Sequence, residues 1–166
     1  MANINDVFNA MLDYYEGDTK RIQHFIKVHS IAKYMGEMEN VDKNSLFIIE
    51  ASALIHDIGI KNAIAKFNSS VGTLHEEEGV VEARKLLENL DIPKDDLERI
   101  IYIVGHHHTF SAIDGIDFQI LTEAILLVNY YEDNLPKDNI LYSYDKVFKT
   151  NTGKHLAEKM YGINDD

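Results

Sequence analysis

The chain has 166 residues, no cysteine, 45% hydrophobic and 27% charged residues, and a net charge of −12 at pH 7. This length suits a single domain with a sizeable core, and the lack of cysteine excludes disulfides and thiolate metal sites. The acidic balance argues against a nucleic-acid polymer, whose binding draws on lysine and arginine neutralising phosphates. It leaves room for a small phosphorylated ligand, because a bound cation can reverse the local field.

No run of 18 apolar residues occurs, and no basic-then-apolar segment opens the chain. No membrane partner is therefore expected, and the expected location is cytoplasmic.

The pattern predicts an all-α fold, a single helical domain over 1–166. Helices are expected at roughly 3–16, 19–38, 43–57, 75–90, 94–108, 118–133, 137–149 and 151–161. Asp18-Thr19 and Asp42-Lys43-Asn44-Ser45 supply N-caps for the second and third. Gly59 suits a helix stop. The stretch from Gly59 to Leu74, with Lys61, Lys66, Asn68, Ser69 and Ser70, shows no clean period and is expected as a lid or irregular loop. Pro93 and Pro136 fall between periodic segments. Strand signals are too weak to support a sheet.

The chemistry concentrates in histidines. His24 and His29 share the second helix, but five residues correspond to about 140° of rotation, so one centre takes only one of them. His29 is expected as a core residue. His56-Asp57 ends the apolar run Leu46 to Ile55, where an imidazole and a carboxylate are expensive to desolvate without a partner. A divalent ion is the strongest such partner. His75 opens the next helical stretch, where Glu76, Glu77 and Glu78 have an ordinary explanation in the helix dipole. Of His106-His107-His108, at most two can point at one centre.

Three stretches together resemble the HD-domain metal-dependent phosphohydrolase superfamily. Arg21-Ile22-Gln23-His24-Phe25-Ile26-Lys27-Val28 is similar to its first-histidine helix. Ala53-Leu54-Ile55-His56-Asp57-Ile58-Gly59 is similar to the motif that names it, and Gly105-His106-His107-His108 resembles the paired-histidine segment of two-metal members. The resemblance covers about 20–133. It implies an all-helical HD-domain bundle that binds a divalent metal (Mn, Mg, Fe, Zn or Ni) and hydrolyses a small phosphorylated substrate, nucleotides included.

The ligand set so implied is His24, His56, Asp57, His75, His106 and His107. Asp57 would bridge two ions, and Lys61 and Lys66 would offset phosphate charge. The family pattern closes with an aspartate in a late helix, at the position that Ile125 occupies here, with Asn129 one turn further along the same face. Glu123 lies about 200° from Ile125 and faces elsewhere. The departure at Ile125 makes a catalytically degenerate module that binds a phosphorylated small molecule or nucleotide the alternative function.

Overall fold

Eight consecutive residues, Ile48 to Ile55, are buried at the C-terminal end of one helix, which therefore threads the centre of the molecule. This is α3 (Lys43–Ile55) in the computed structural model, which describes residues 1–67 and 72–163, and for 62, 63, 67 and 72–75 the backbone alone. The other helices are α1 (Ile4–Tyr14), α2 (Thr19–Met38), α4 (Ile60–Phe67), α5 (Gly72–Leu87), α6 (Lys94–Val104), α7 (Ile116–Glu132), α8 (Lys137–Val147) and α9 (Asn151–Tyr161). A single 3₁₀ turn at Phe110–Ala112 precedes α7. Among the described residues there is no strand, and the fold is all-α.

α3 packs against α1, α2, α6 and α7, and α2 lies across both α3 and α7. α7 is the second interior helix, buried without a break from Asp117 to Ile125. α5 rests on α6, and α9 closes the far side against α7. The helix starts follow side-chain capping. Asn3 and Asp6 form a reciprocal capping box on α1, while Asp18, Asp42 and Thr150 accept from the backbone amides of Arg21, Ser45 and Gly153.

Three expectations are corrected. The helix expected over 43–57 ends at Ile55, and the one expected over 94–108 ends at Val104. His56-Asp57 and the histidine triplet thus sit in tight turns just past helix ends. The stretch 59–74 holds α4 and the start of α5 rather than one irregular loop. Ile60, Ala63, Ile64 and Phe67 do recur at helical spacing, a short period masked by the polar residues beyond it. Asn68, Ser69 and Ser70 lie outside the described residues. Gly79 of α5 is a point of close approach to α6: a Cβ there would stand 3.1 Å from the Val104 side chain.

Two polar clusters hold the α7 region in place. Glu123, fully buried, accepts from the Gln119 amide, the Lys149 and Thr150 backbone amides and the Thr150 hydroxyl, so it anchors the turn between α8 and α9. Arg99 of α6 grips both Asp114 and Asp117 through paired hydrogen bonds of 2.7–3.1 Å, tying the segment after the histidine triplet to the start of α7.

The Arg99 hydrogen bonds hold the Asp114 carboxyl below the usual carboxylate range. A carboxylate depressed in the folded state adds stability above its unfolded pKa and loses it as pH falls through the folded value. Arg99→Gln is expected to destabilise the fold at pH 7, by no more than about 1 kcal/mol because solvent screens the half-exposed Asp114. Chemical denaturation at stepped pH should show that deficit shrinking below about pH 4.

Candidate metal centre

The turns that end α3 and α6 meet beside His24, near the N-terminal end of α2, and their side chains converge. His24 Nε2 lies 3.2 Å from His56 Nε2. Asp57 Oδ2 is 3.6 Å from the first and 3.3 Å from the second. Its other oxygen, Oδ1, is 3.0 Å from His107 Nε2 and 3.8 Å from His108 Nε2. Asp57 thus divides its two oxygens between two pairs of imidazoles. In each group of three residues the available donor atoms lie within 4.8 Å of one another.

The ring tautomers follow from the partners on the far side of each imidazole. His56 Nδ1 lies 2.9 Å from the Ala53 carbonyl and His107 Nδ1 2.7 Å from the Val104 carbonyl. A carbonyl only accepts, so both Nδ1 atoms donate. His24 Nδ1 donates in the same way to Glu132 Oε1 at 2.6 Å. When these rings are neutral, the Nε2 atoms pointing inward carry lone pairs. His24 Nε2, His56 Nε2 and Asp57 Oδ2 are then three acceptors crowded on one point with no donor among them, which is a cation site by its chemistry.

The electrostatics agree with that reading. Burial pushes His24 below its ordinary pKa, and the neighbouring His56 adds to the fall against the pull of Asp57 and Glu132. Burial also works against the charge on Asp57. Even so, the neighbouring His56 and the hydrogen bond from His107 hold it well below the carboxylate range, so it stays ionised. His107 is likewise penalised by burial, but the Asp57 carboxylate overcomes this and raises its pKa. The carboxylate thus favours positive charge on the ring beside Oδ1.

Neighbouring elements fix the two turns. The Tyr15 hydroxyl donates to the Asp57 carbonyl at 3.2 Å. Glu76 of α5 accepts from the His108 amide at 2.7 Å and from the Thr109 hydroxyl at 3.2 Å. α5 begins at Gly72, so Glu76 is past its first turn and serves as a clamp rather than a dipole partner.

The structure brings together His24, His56, Asp57 and His107, and adds His108. His106 is corrected: its Nδ1 donates to the Tyr102 carbonyl at 2.7 Å and its ring stacks on Tyr102, with centroids 4.2 Å apart. The triplet lies in a turn rather than on a helix, so His107 and His108 face one centre while His106 turns back along α6. His29 pairs with Glu50 at 3.0 Å, apart from the cluster. His75 lies on α5, and its side chain is outside the described residues.

Ile125 belongs to the apolar core. The α7 side chains that reach the site are Asn129 and Glu132, which line a cavity of about 240 Å³ with Asp18, Lys20, Arg21, His24 and Asp57. Ile125 is one turn, roughly 6 Å, short of it. Lys61 lines an adjoining groove with Tyr14, Asp18 and Lys20, its Nζ 5.1 Å from the Tyr14 ring centroid. Lys66 is already paired with Glu78 at 3.1 Å. Sequence reasoning left open which two of the triplet face the centre, and missed Glu132 and the clamping role of Glu76. For Glu132 a signal existed: it stands three residues after Asn129, on the same helical face.

The sequence profile of the HD domain family matches residues 21–148, most of the chain and all of the described cluster. The chain belongs to the HD domain family. No curated protein matches it. A predicted HD superfamily hydrolase from an uncultured Thermotogales bacterium is similar in fold, with a TM-score of 0.70, 22% identity, and coverage of 95% of this chain and 84% of the other. Bacillus subtilis YpgQ, solved in complex with ADP, has a TM-score of 0.64, 21% identity, and coverage of 96% and 87%. Among the described residues of this HD domain, no helix is long and apolar enough to cross a membrane.

His108→Ala is expected to lower metal stoichiometry or affinity at least tenfold, whereas His106→Ala should leave both near wild type. Titration calorimetry with Mn²⁺ or Zn²⁺ on protein purified without a His tag reads the difference. Equal losses in the two variants would contradict the assignment of the turn.

Proposed function

We propose that this HD domain is a divalent-metal-dependent phosphohydrolase acting on a small phosphorylated substrate of the nucleotide class. The observation that carries the reading is Asp57, whose two carboxylate oxygens face two separate imidazole pairs. His24, His56 and Asp57 would hold one ion, and Asp57, His107 and His108 the other. Four imidazoles to one carboxylate suit Mn, Fe, Zn or Ni better than Mg²⁺, which prefers oxygen ligands. When bound, such ions neutralise phosphoryl oxygens and lower the pKa of water enough to yield a nucleophile near neutral pH.

The chain's own residues supply the rest. Lys20 and Arg21 line the cavity beside His24 and Asp57, and Lys61 lines the groove that continues from it past Lys20. These three cations share the lining with Glu16, Asp18, Asp57 and Glu132, so they act as single point charges in an acidic groove, Arg21 beside Asp18. They would bind and orient the phosphates, with Lys61 opposing charge that develops on the transferred group. The ADP bound by the Bacillus neighbour makes nucleoside phosphates the first class to test.

Asn129 supports the second reading, a binding module without turnover. It presents a neutral amide to the cavity, while Ile125, at the position of the family's carboxylate, lies in the apolar core; an amide is a poor ligand for a transition ion.

Phosphate release from a panel of nucleoside mono-, di- and triphosphates, with Mn²⁺ added, separates the two readings. Metal-dependent turnover is expected, lost together with metal in Asp57→Ala while helix content is kept. Metal and nucleotide binding with no turnover of any substrate would favour the binding module. Full metal content in Asp57→Ala would overturn the centre itself.

A further inference from the structure

Each of the histidines His24, His56 and His107 needs its Nδ1 proton accepted so that Nε2 turns its lone pair inward, and the chain meets that need in two different ways. His56 and His107 sit just past helix ends, and their acceptors, Ala53 and Val104, are three residues earlier. Those carbonyls are among the last four of α3 and α6, which have no partner within the helix. Local backbone is therefore available to them at no loss of helical hydrogen bonding.

His24 has no such supply. It lies inside α2, which runs unbroken from Thr19 to Met38, where the carbonyls are engaged by the helix itself. Its Nδ1 partner comes instead from a distant part of the chain, Glu132 at the end of α7, at 2.6 Å. The other oxygen of Glu132 is held at 2.5 Å by Lys27, three residues along α2 from His24. The carboxylate is thus fixed by one cation while it receives one imidazole proton. Glu132 cannot at the same time direct that oxygen to an ion between His24 and His56, because His24 Nε2 is on the opposite edge of the ring.

We infer that Glu132 is the positioning residue of this centre: it sets His24 in the Nδ1–H tautomer, orients its Nε2 toward His56 and Asp57, and strengthens it as a metal ligand. A carboxylate acceptor makes an imidazole more basic at its other nitrogen than a backbone carbonyl does. His24 thereby gains donor strength that the carbonyl acceptors of His56 and His107 do not supply, and α7 contributes to the centre through Glu132 rather than through a direct carboxylate ligand. The inference rests on the metal-dependent reading above for its consequence, but not for its geometry.

The test uses two variants of the full chain, Glu132→Gln and Glu132→Ala. Ring nitrogen NMR on metal-free protein at a pH where His24 is neutral reads the tautomer. Calorimetry with Mn²⁺ or Zn²⁺ reads affinity, and a melt checks that folding is kept. Wild type should show Nδ1 protonated and Nε2 bare. Glu132→Gln, whose amide oxygen still accepts, should keep that tautomer and lose about tenfold in affinity. Glu132→Ala should give a mixed tautomer and lose up to about 100-fold. An unchanged tautomer in Glu132→Ala would overturn the inference, as would affinities of both variants within twofold of wild type. If the wild-type protein binds no metal, the hydrolase reading falls, and the tautomer measurement alone decides the role of Glu132.

Discussion

Acceptors crowded together without a donor are the constraint around which this molecule is arranged. His24 and His56 direct lone pairs at each other over 3.2 Å, with a carboxylate oxygen beside them. Water could relieve that repulsion in an open cleft, but His56 and His107 are buried, and buried polar atoms without partners cost several kcal/mol. A cation relieves it directly. The opposed shifts of Asp57, downward, and His107, upward, express the same preference for positive charge next to the carboxylate.

The fold holds these atoms together by using places where helices stop. The His56-Asp57 turn and the His107-His108 turn follow α3 and α6 directly, so unpartnered helix-end carbonyls orient two of the rings. Clamps from outside the turns complete them: Tyr15 on the Asp57 carbonyl, Glu76 on the His108 amide, and Arg99 on the segment that leads to α7. Rigid interior helices beneath, α3 and α7, make those positions reproducible. This is how a small helical domain presents five convergent ligands from three separate segments.

The helical fold was legible in the sequence because most of its segments carry long apolar periods and side-chain caps, as at Asp18 and Asp42. The ligand-bearing turns were less so. His56-Asp57 continue the helical spacing before them, so nothing in the local pattern marks Ile55 as the last helical residue, and at Val104 the one mark is Gly105, which caps α6. That placement decides which histidines face inward. On a helix, three consecutive residues fan about the axis, whereas in the turn His107 and His108 point together and His106 stacks back on Tyr102. Ile125 shows a different limit. It shares a helical face with Asn129, and only the crossing of α7 over α2 determines that the later turn meets the site. Helical spacing puts Glu132 on the face of Asn129, but its pairing with His24, 108 residues away, is a product of the same crossing.

The central claim is that Asp57 stands between two metal positions. Anomalous diffraction from crystals soaked in Mn²⁺, collected at the manganese edge, tests it most directly. The account predicts two peaks about 3.5–4 Å apart, one against Oδ2 with His24 and His56, the other against Oδ1 with His107 and His108. A single peak that leaves one imidazole pair unligated, or peaks away from Asp57 altogether, would contradict it.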